Sequence, residues 1–237
     1  MELYIEVNES KFNTAALTNI VKAIWYSFKV KHVVNTKHHT QVPYVWHQIM
    51  CIALHFTETS SAIIICLDLP RPVQKKMEAK LTSTNWNDSL AFHPILLLAV
   101  RELYDDSVWA LRDLVRDAER QRTIGTPTSI GQPDFVHLHE LARHVIHSNE
   151  VLDLALSTAK SLENRCREFA MLHCSSNLAS DYDTDIRDEF EYMENNLRAI
   201  KRRSSTLHER LQNEIQLVRS TLQLYSCYQN MSPDSPL

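Results

Sequence analysis

The sequence predicts an α+β protein that is mostly helical. A small mixed N-terminal part, a hairpin plus helices, packs on long antiparallel coiled-coil-like helices. Three observations carry this expectation. Two β-rich runs, "VWHQIMCIALHF" (45–56) and "AIIICLDL" (62–69), flank the polar link "TETSS", the pattern of an antiparallel hairpin. A segment opened by His93-Pro94 keeps apolar residues at helical spacing to about Arg122. Beyond Pro133 there is no Gly or Pro until Pro233, and two heptad-like stripes fill the interval.

Taken in order, Leu3, Ile5 and Val7 alternate with polar residues as a short strand does. The stretch "TAALTNIVKAIWYSF" (14–28) sets Leu17, Ile20, Val21, Ile24 and Phe28 at helical spacing, which predicts a helix. Pro70 and Pro72 stop the second hairpin strand, because proline cannot donate to a sheet ladder, and a short helix follows over 75–81. In the segment 93–122, Leu97, Val100, Leu103, Tyr104, Val108, Leu111 and Val115 form one apolar face. Pro94 suits its first turn, where the missing N–H sacrifices no hydrogen bond. "TIGTPTSIGQP" (123–133) holds both glycines of the chain and reads as the linker.

The first long stripe is Leu138, Leu141, Val145, Ser148, Leu152, Ala155, Ala159, Leu162, Cys166 and Phe169. The second is Ile186, Phe190, Met193, Leu197, Ile200, Ser204, Leu207, Leu211, Glu214, Val218, Thr221 and Tyr225. A polar break, 173–185, separates them. At 1.5 Å per residue these helices are about 55 and 65 Å long and fold back on each other as a hairpin. The organisation is therefore a mixed part over 1–92, a helix over 93–122, a linker over 123–133, the helical hairpin over 134–230 and a tail over 231–237.

Composition excludes several classes. The net charge is −4, so no overall field draws nucleic acid. Five cysteines without a CxxC pair fit a reducing, cytoplasmic setting and neither a disulfide framework nor a zinc ribbon. With two glycines, no phosphate-cradling loop of the GxGxxG or GxxxxGK[ST] kind is present. The most apolar runs, 62–67 and 95–100, fall far short of the roughly 20 residues a membrane helix needs, and the N-terminus lacks the basic and apolar regions of a signal peptide.

Candidate sites are few. "HELARHVIH" (139–147) evokes a zincin, but its histidines His139 and His144 are five residues apart, whereas HExxH needs them at i and i+4. Glu140, His144 and His147 do share a helical face, which a solvated flank explains as well as a metal does. "DYDTD" offers Asp181, Asp183 and Asp185 as candidate metal ligands. Ile186 and Tyr192 stand where an EF-hand needs glycine and glutamate, so the alternatives are a capped helix start and a weakly held hydrated Mg²⁺. "KRR" (201–203) reads as a solvated face, and Trp25, Trp46, Trp86 and Trp109, spread along the chain, read as core anchors. No catalytic constellation emerges, so the chain is expected not to be an enzyme.

Three stretches, "FHPILLLAVRELYDDSVWALRDLVRDAERQR", "DFVHLHELARHVIHSNEVLDLAL" and "LRAIKRRSSTLHERLQNEIQLVRSTLQLY", resemble the cytoplasmic region of fungal CorA-like proteins, relatives of the CorA/ZntB divalent-cation transporters. The likeness runs from about 45 to 226 and lies in framework helices. It implies an α/β domain on long helices, a five-fold funnel, Mg²⁺ at acidic subunit interfaces and a last helix continuing into the membrane. Here Tyr225 is followed by "SCYQNMSPDSPL", without the Gly-Met-Asn pore motif. The resemblance thus implies a non-catalytic cytosolic domain of a magnesium-transporter homologue lacking the pore, sensing Mg²⁺ or regulatory, and associating with itself or with CorA-like relatives. The alternative is a soluble helical interaction and oligomerisation module with no ion role.

Overall fold

A computed structural model describes residues 3–7, 22–33, 42–56, 61–81, 90–124, 135–173 and 179–231. Four strands form one antiparallel sheet: β1 (Leu3–Val7), β2 (Lys22–Val33), β3 (Tyr44–Phe56) and β4 (Ser61–Leu67), in spatial order β1-β4-β3-β2. Four helices follow: α1 (Arg71–Leu81), α2 (Phe92–Ile124), α3 (Phe135–His173) and α4 (Ala179–Met231). The mostly helical α+β class expected from the sequence is the class observed.

The expected hairpin is β3–β4, with Cys51 opposite Cys66 and Ala53 opposite Ile64. The expected helix over 14–28 is corrected: residues 22–28 belong to β2, and 14–21 lie outside the described residues. Ile24 and Phe28 satisfy a helical and a strand period equally, being four apart. Tyr26 and Val30 decide between the two, because Ile24, Tyr26, Phe28 and Val30 are all buried while Ala23, Trp25, Ser27 and Lys29 face solvent. That is the period of two of a half-buried strand. The short helix begins at Arg71, four residues before its expected start, with Pro72 in its first turn. Asp68 makes the turn out of β4 with φ of 54°, a left-handed conformation that aspartate tolerates better than most residues.

β2 is an edge strand, and an edge leaves backbone groups unpaired. Helix α2 closes it. The Ser107 hydroxyl donates to the Lys31 carbonyl at 2.6 Å and accepts the Val33 N–H at 3.2 Å. One turn earlier, the Tyr104 hydroxyl donates to the Lys29 carbonyl at 3.0 Å.

The three long helices bury their stripes as the spacing requires. All seven apolar positions singled out on α2 are buried, as are all ten on α3. On α4 the stripe is buried from Phe190 to Leu211 and again at Val218, whereas Thr221 is exposed. Midway along the α3–α4 seam, the Ser204 hydroxyl donates to Ser148 Oγ at 3.3 Å, and Lys201 Nζ reaches the Asn149 carbonyl at 2.9 Å and the Asp153 carboxylate. Such a polar layer in an apolar seam fixes register. The core continues from the inner face of the sheet through α2 to both seam helices.

Leu152 and Leu197 are fully buried in this core. Truncating either to alanine is expected to cost about 2–5 kcal/mol in chemical denaturation. Trp25→Ala, on the outer face of β2 and 73% exposed, is expected to shift stability by less than about 1 kcal/mol.

Candidate functional site

Two clusters of polar side chains stand out, one at the flank of the sheet and one beneath it. The first gathers where α3 passes the ends of β2 and β3. Lys31 is 4% exposed, yet no carboxylate bonds its ammonium; instead Nζ donates to His147 Nδ1 at 2.9 Å and lies 4.2 Å from the Tyr44 ring centre and 5.4 Å from that of Trp46. Lys29 Nζ lies 4.7 Å from the Trp46 ring centre. Ring quadrupoles attract cations in this geometry and partly replace the water that burial removes. Burial lowers the Lys31 pKa and Arg143 lowers it further, while Glu140 works against both.

The trio on the α3 face is part of this cluster. His144 is buried edge-on to Tyr44, with ring centres 5.0 Å apart, and its Nε2 is 3.8 Å from Glu140 Oε1. Burial pushes its pKa down to about 4, helped by Lys31, Arg143 and His147. Of the trio, His147 thus bonds a lysine ammonium, and Glu140 and His144 lie near enough to feel or shift the same charge. Among the described residues, no group of three or more His, Cys, Asp or Glu side chains is arranged to hold a metal. Asp181, Asp183 and Asp185 fall in the first turns of α4, but their side chains lie outside the described residues.

The second cluster is interior. Across the sheet Tyr26, Cys51 and Cys66 are successive register partners on β2, β3 and β4, and all face the core. Tyr26 Oη is 2.8 Å from Nδ1 of His93, the histidine of the His-Pro pair that opens α2. A hydrogen bond from Cys66 lowers the Cys51 pKa; burial opposes this, and a second bond from Tyr26 reinforces it. The same bond, with burial, raises the Cys66 thiol. Burial drives His93 down to about 3, aided by His55, so the ring is neutral. The consistent tautomer carries its proton on Nδ1 and donates to Tyr26, leaving Nε2 without a hydrogen-bond partner.

Two sequence readings need correction. The tryptophans are not core anchors: Trp25, Trp46 and Trp109 are 73%, 41% and 41% exposed, and Trp86 lies outside the described residues. Trp109 stacks under two guanidiniums, with Arg112 at 4.9 Å and Arg203 at 4.5 Å. The basic triplet 201–203 is not merely a solvated face either. Lys201 bonds α3, and Arg203 Nη1 donates to Asp105 of α2 at 2.5 Å. Neither Lys31 nor Cys51 was singled out by sequence; alternation along β3 gives Cys51 an inner face, whereas Lys31 stands at a position that the alternation of β2 assigns to solvent and is nevertheless buried.

No family model matches the chain. Over 218 residues, 85% of its length, it is 28% identical to Notoamide biosynthesis cluster protein M' of Aspergillus versicolor. That match covers 46% of the relative, so the chain spans about half the length of the curated protein it matches. This similarity overturns the expectation of a cytosolic domain from a CorA-like magnesium-transporter homologue, since the relative carries the name of a biosynthesis-cluster protein and not of a transporter. The physical reason for the misreading is visible in the fold. The three stretches that suggested the transporter family lie in α2, α3 and α4, where apolar spacing reflects helix packing and carries no ion chemistry. No helix among the described residues is long and apolar enough to cross a membrane.

The depressed histidines make a pH prediction. An unfolded histidine titrates near 6.5, whereas His144 titrates at about 4 and His93 at about 3 in the fold. Between pH 6.5 and 4 the unfolded chain therefore binds protons that the folded chain refuses, and stability falls as pH falls. His144 alone accounts for up to about 3 kcal/mol, at about 1.4 kcal/mol per pKa unit. Urea midpoints measured from pH 7 to pH 4 should decline, and His144→Gln should flatten the decline. An unchanged slope in that variant would remove His144 from the explanation.

Proposed function

We propose that this chain is a non-catalytic, self-associating helical module of the cytoplasm, serving as an accessory protein in a biosynthetic cluster. The name of its relative motivates the setting. The observation that supports the mechanism is that α4 runs on past the ends of α2 and α3, the long helices it packs against among the described residues, with Val218 the last buried position of its stripe. Ser204 lies against Ser148, and thirteen residues back from Ser148 is Phe135, where α3 begins. Thirteen residues on from Ser204 is Leu217, so the fourteen residues to Met231 pass beyond α3. That overhang is about 21 Å long. Helix α2 supports α4 through Glu119, which accepts from Arg210 Nε at 2.8 Å, but α2 ends five residues later.

The overhang is amphipathic and nearly uncharged. Leu217 and Leu224 are 44% and 62% exposed and, with Thr221 between them, stand at i, i+4 and i+7 on one face. From 215 to 231 the sole charged residue is Arg219. An isolated helix of this length is marginal in water, and a second copy supplies the missing partner. In a two-fold pairing about residues 220–221, Leu217 of one copy meets Leu224 of the other, the self-complementary contact that an isologous dimer requires.

Light scattering across a concentration series is expected to show a dimer. Leu217→Glu with Leu224→Glu is expected to give a monomer that stays folded but whose melting temperature no longer rises with protein concentration, since neither side chain lies in the core and only the association is lost. A chain that is monomeric at every concentration, or a double variant that still dimerises, would refute the proposal.

A further inference from the structure

The helical layer leaves the buried thiols unexplained, and they are arranged for chemistry with each other. Cys51 and Cys66 are direct partners across β3 and β4. Both are free and fully buried on the inner face, and each shifts the other's pKa, Cys66 lowering that of Cys51 and Cys51 raising that of Cys66. Opposed residues in an antiparallel pair have Cα atoms roughly 4.5–5.5 Å apart, inside the roughly 4.4–6.8 Å that a disulfide spans. The pairing therefore brings the two backbones within the span of an S–S bond. The surroundings distinguish the two thiols. Cys51 stands between Tyr26 and Cys66 in the sheet register; Cys66 and, less strongly, Tyr26 lower its pKa against the burial that raises it, and the Tyr26 hydroxyl is itself held by His93 at 2.8 Å. Neighbours that lower a thiol's pKa favour its thiolate, and the thiolate is the nucleophilic form.

We propose that Cys51 and Cys66 form a redox modification site, in which a peroxide converts the thiol pair to a cross-strand disulfide. Cys51 is the attacking residue. Its sulfur lone pair bonds to one peroxide oxygen, the O–O bond breaks, and the departing hydroxide leaves as water with the proton Cys51 gave up. The sulfur of Cys66 then attacks the Cys51 sulfenic acid. The S–O bond breaks, and the hydroxyl leaves as a second water with the proton of Cys66. Two thiols are oxidised by two electrons in total, and one peroxide is reduced to two waters. Tyr26 is a positioning residue that holds the Cys51 sulfur through its hydroxyl. Hydrogen peroxide is close to water in size, so access needs only a small opening of the sheet.

The test uses the full chain carrying Cys227→Ser, which removes the one exposed thiol among the described residues, together with Cys174→Ser. The protein is exposed to hydrogen peroxide while folded, then unfolded in iodoacetamide and digested. The expected product is a linked peptide pair containing Cys51 and Cys66, two hydrogens lighter than the sum of its parts and abolished by dithiothreitol. Its rate of formation should fall about tenfold in Tyr26→Phe. In Cys66→Ala, dimedone added with the peroxide should label Cys51, because the sulfenic acid has lost its resolving partner. Complete alkylation of both cysteines after a peroxide dose that oxidises Cys227 in the unsubstituted chain would overturn the proposal. So would a linked pair that forms only in urea, or a Cys66→Ala protein that takes up no dimedone at Cys51.

Discussion

The structure depends on how one edge strand is closed. β2 pairs with β3 along its whole length, but its other edge would leave the Lys29 and Lys31 carbonyls and the Val33 N–H without partners in a buried setting. Ser107 and Tyr104 of α2 satisfy all three. An unmade bond to a buried backbone group costs about 1–3 kcal/mol, so these two side chains outweigh their size. They also fix the height of α2 along the strand. With α2 placed, its buried face sets where α3 and α4 lie, and the seam polar layer sets their register.

The cations are deployed with the same logic. Lys201 and Arg203 leave one turn of α4 in different directions, the first to α3 and the second to α2, so one short basic run fastens three helices. Partly exposed pairs of this kind are worth about 1 kcal/mol or less each; their value is in specifying one arrangement. Lys31 is a different case. Its ammonium is buried among Tyr44, Trp46 and His147, and burial of His144, reinforced by the positive field of Lys31 and Arg143, keeps that histidine neutral. The flank of the sheet is therefore sensitive to acid.

Much of the fold was legible in the sequence because each helix declares its buried face by spacing. Leu97 to Val115 on α2 and Leu138 to Phe169 on α3 needed no tertiary information. β2 was misread because Ile24 and Phe28 fit both periods, and the alternation through Tyr26 and Val30 had to be weighed against Leu17, Ile20 and Val21. The candidate site was hardly legible. Lys31 meets His147, 116 residues away, and Tyr26 meets His93, 67 residues away; no local spacing encodes such meetings. The tryptophans misled for another reason. A large aromatic ring is as useful under a guanidinium at the surface as in a core, and composition does not separate the two. Framework helices also invited a transporter reading, because apolar repeats recur wherever long helices pack.

The claim that α2 closes the β2 edge is tested most directly by amide hydrogen exchange at Val33, followed residue by residue in the unsubstituted chain and in Ser107→Ala. The Val33 amide should be protected in the first and exchange at least about tenfold faster in the second, while amides paired between β2 and β3 keep their rates. A Val33 amide that exchanges freely in the unsubstituted chain, or one indifferent to the loss of the Ser107 hydroxyl, would contradict it.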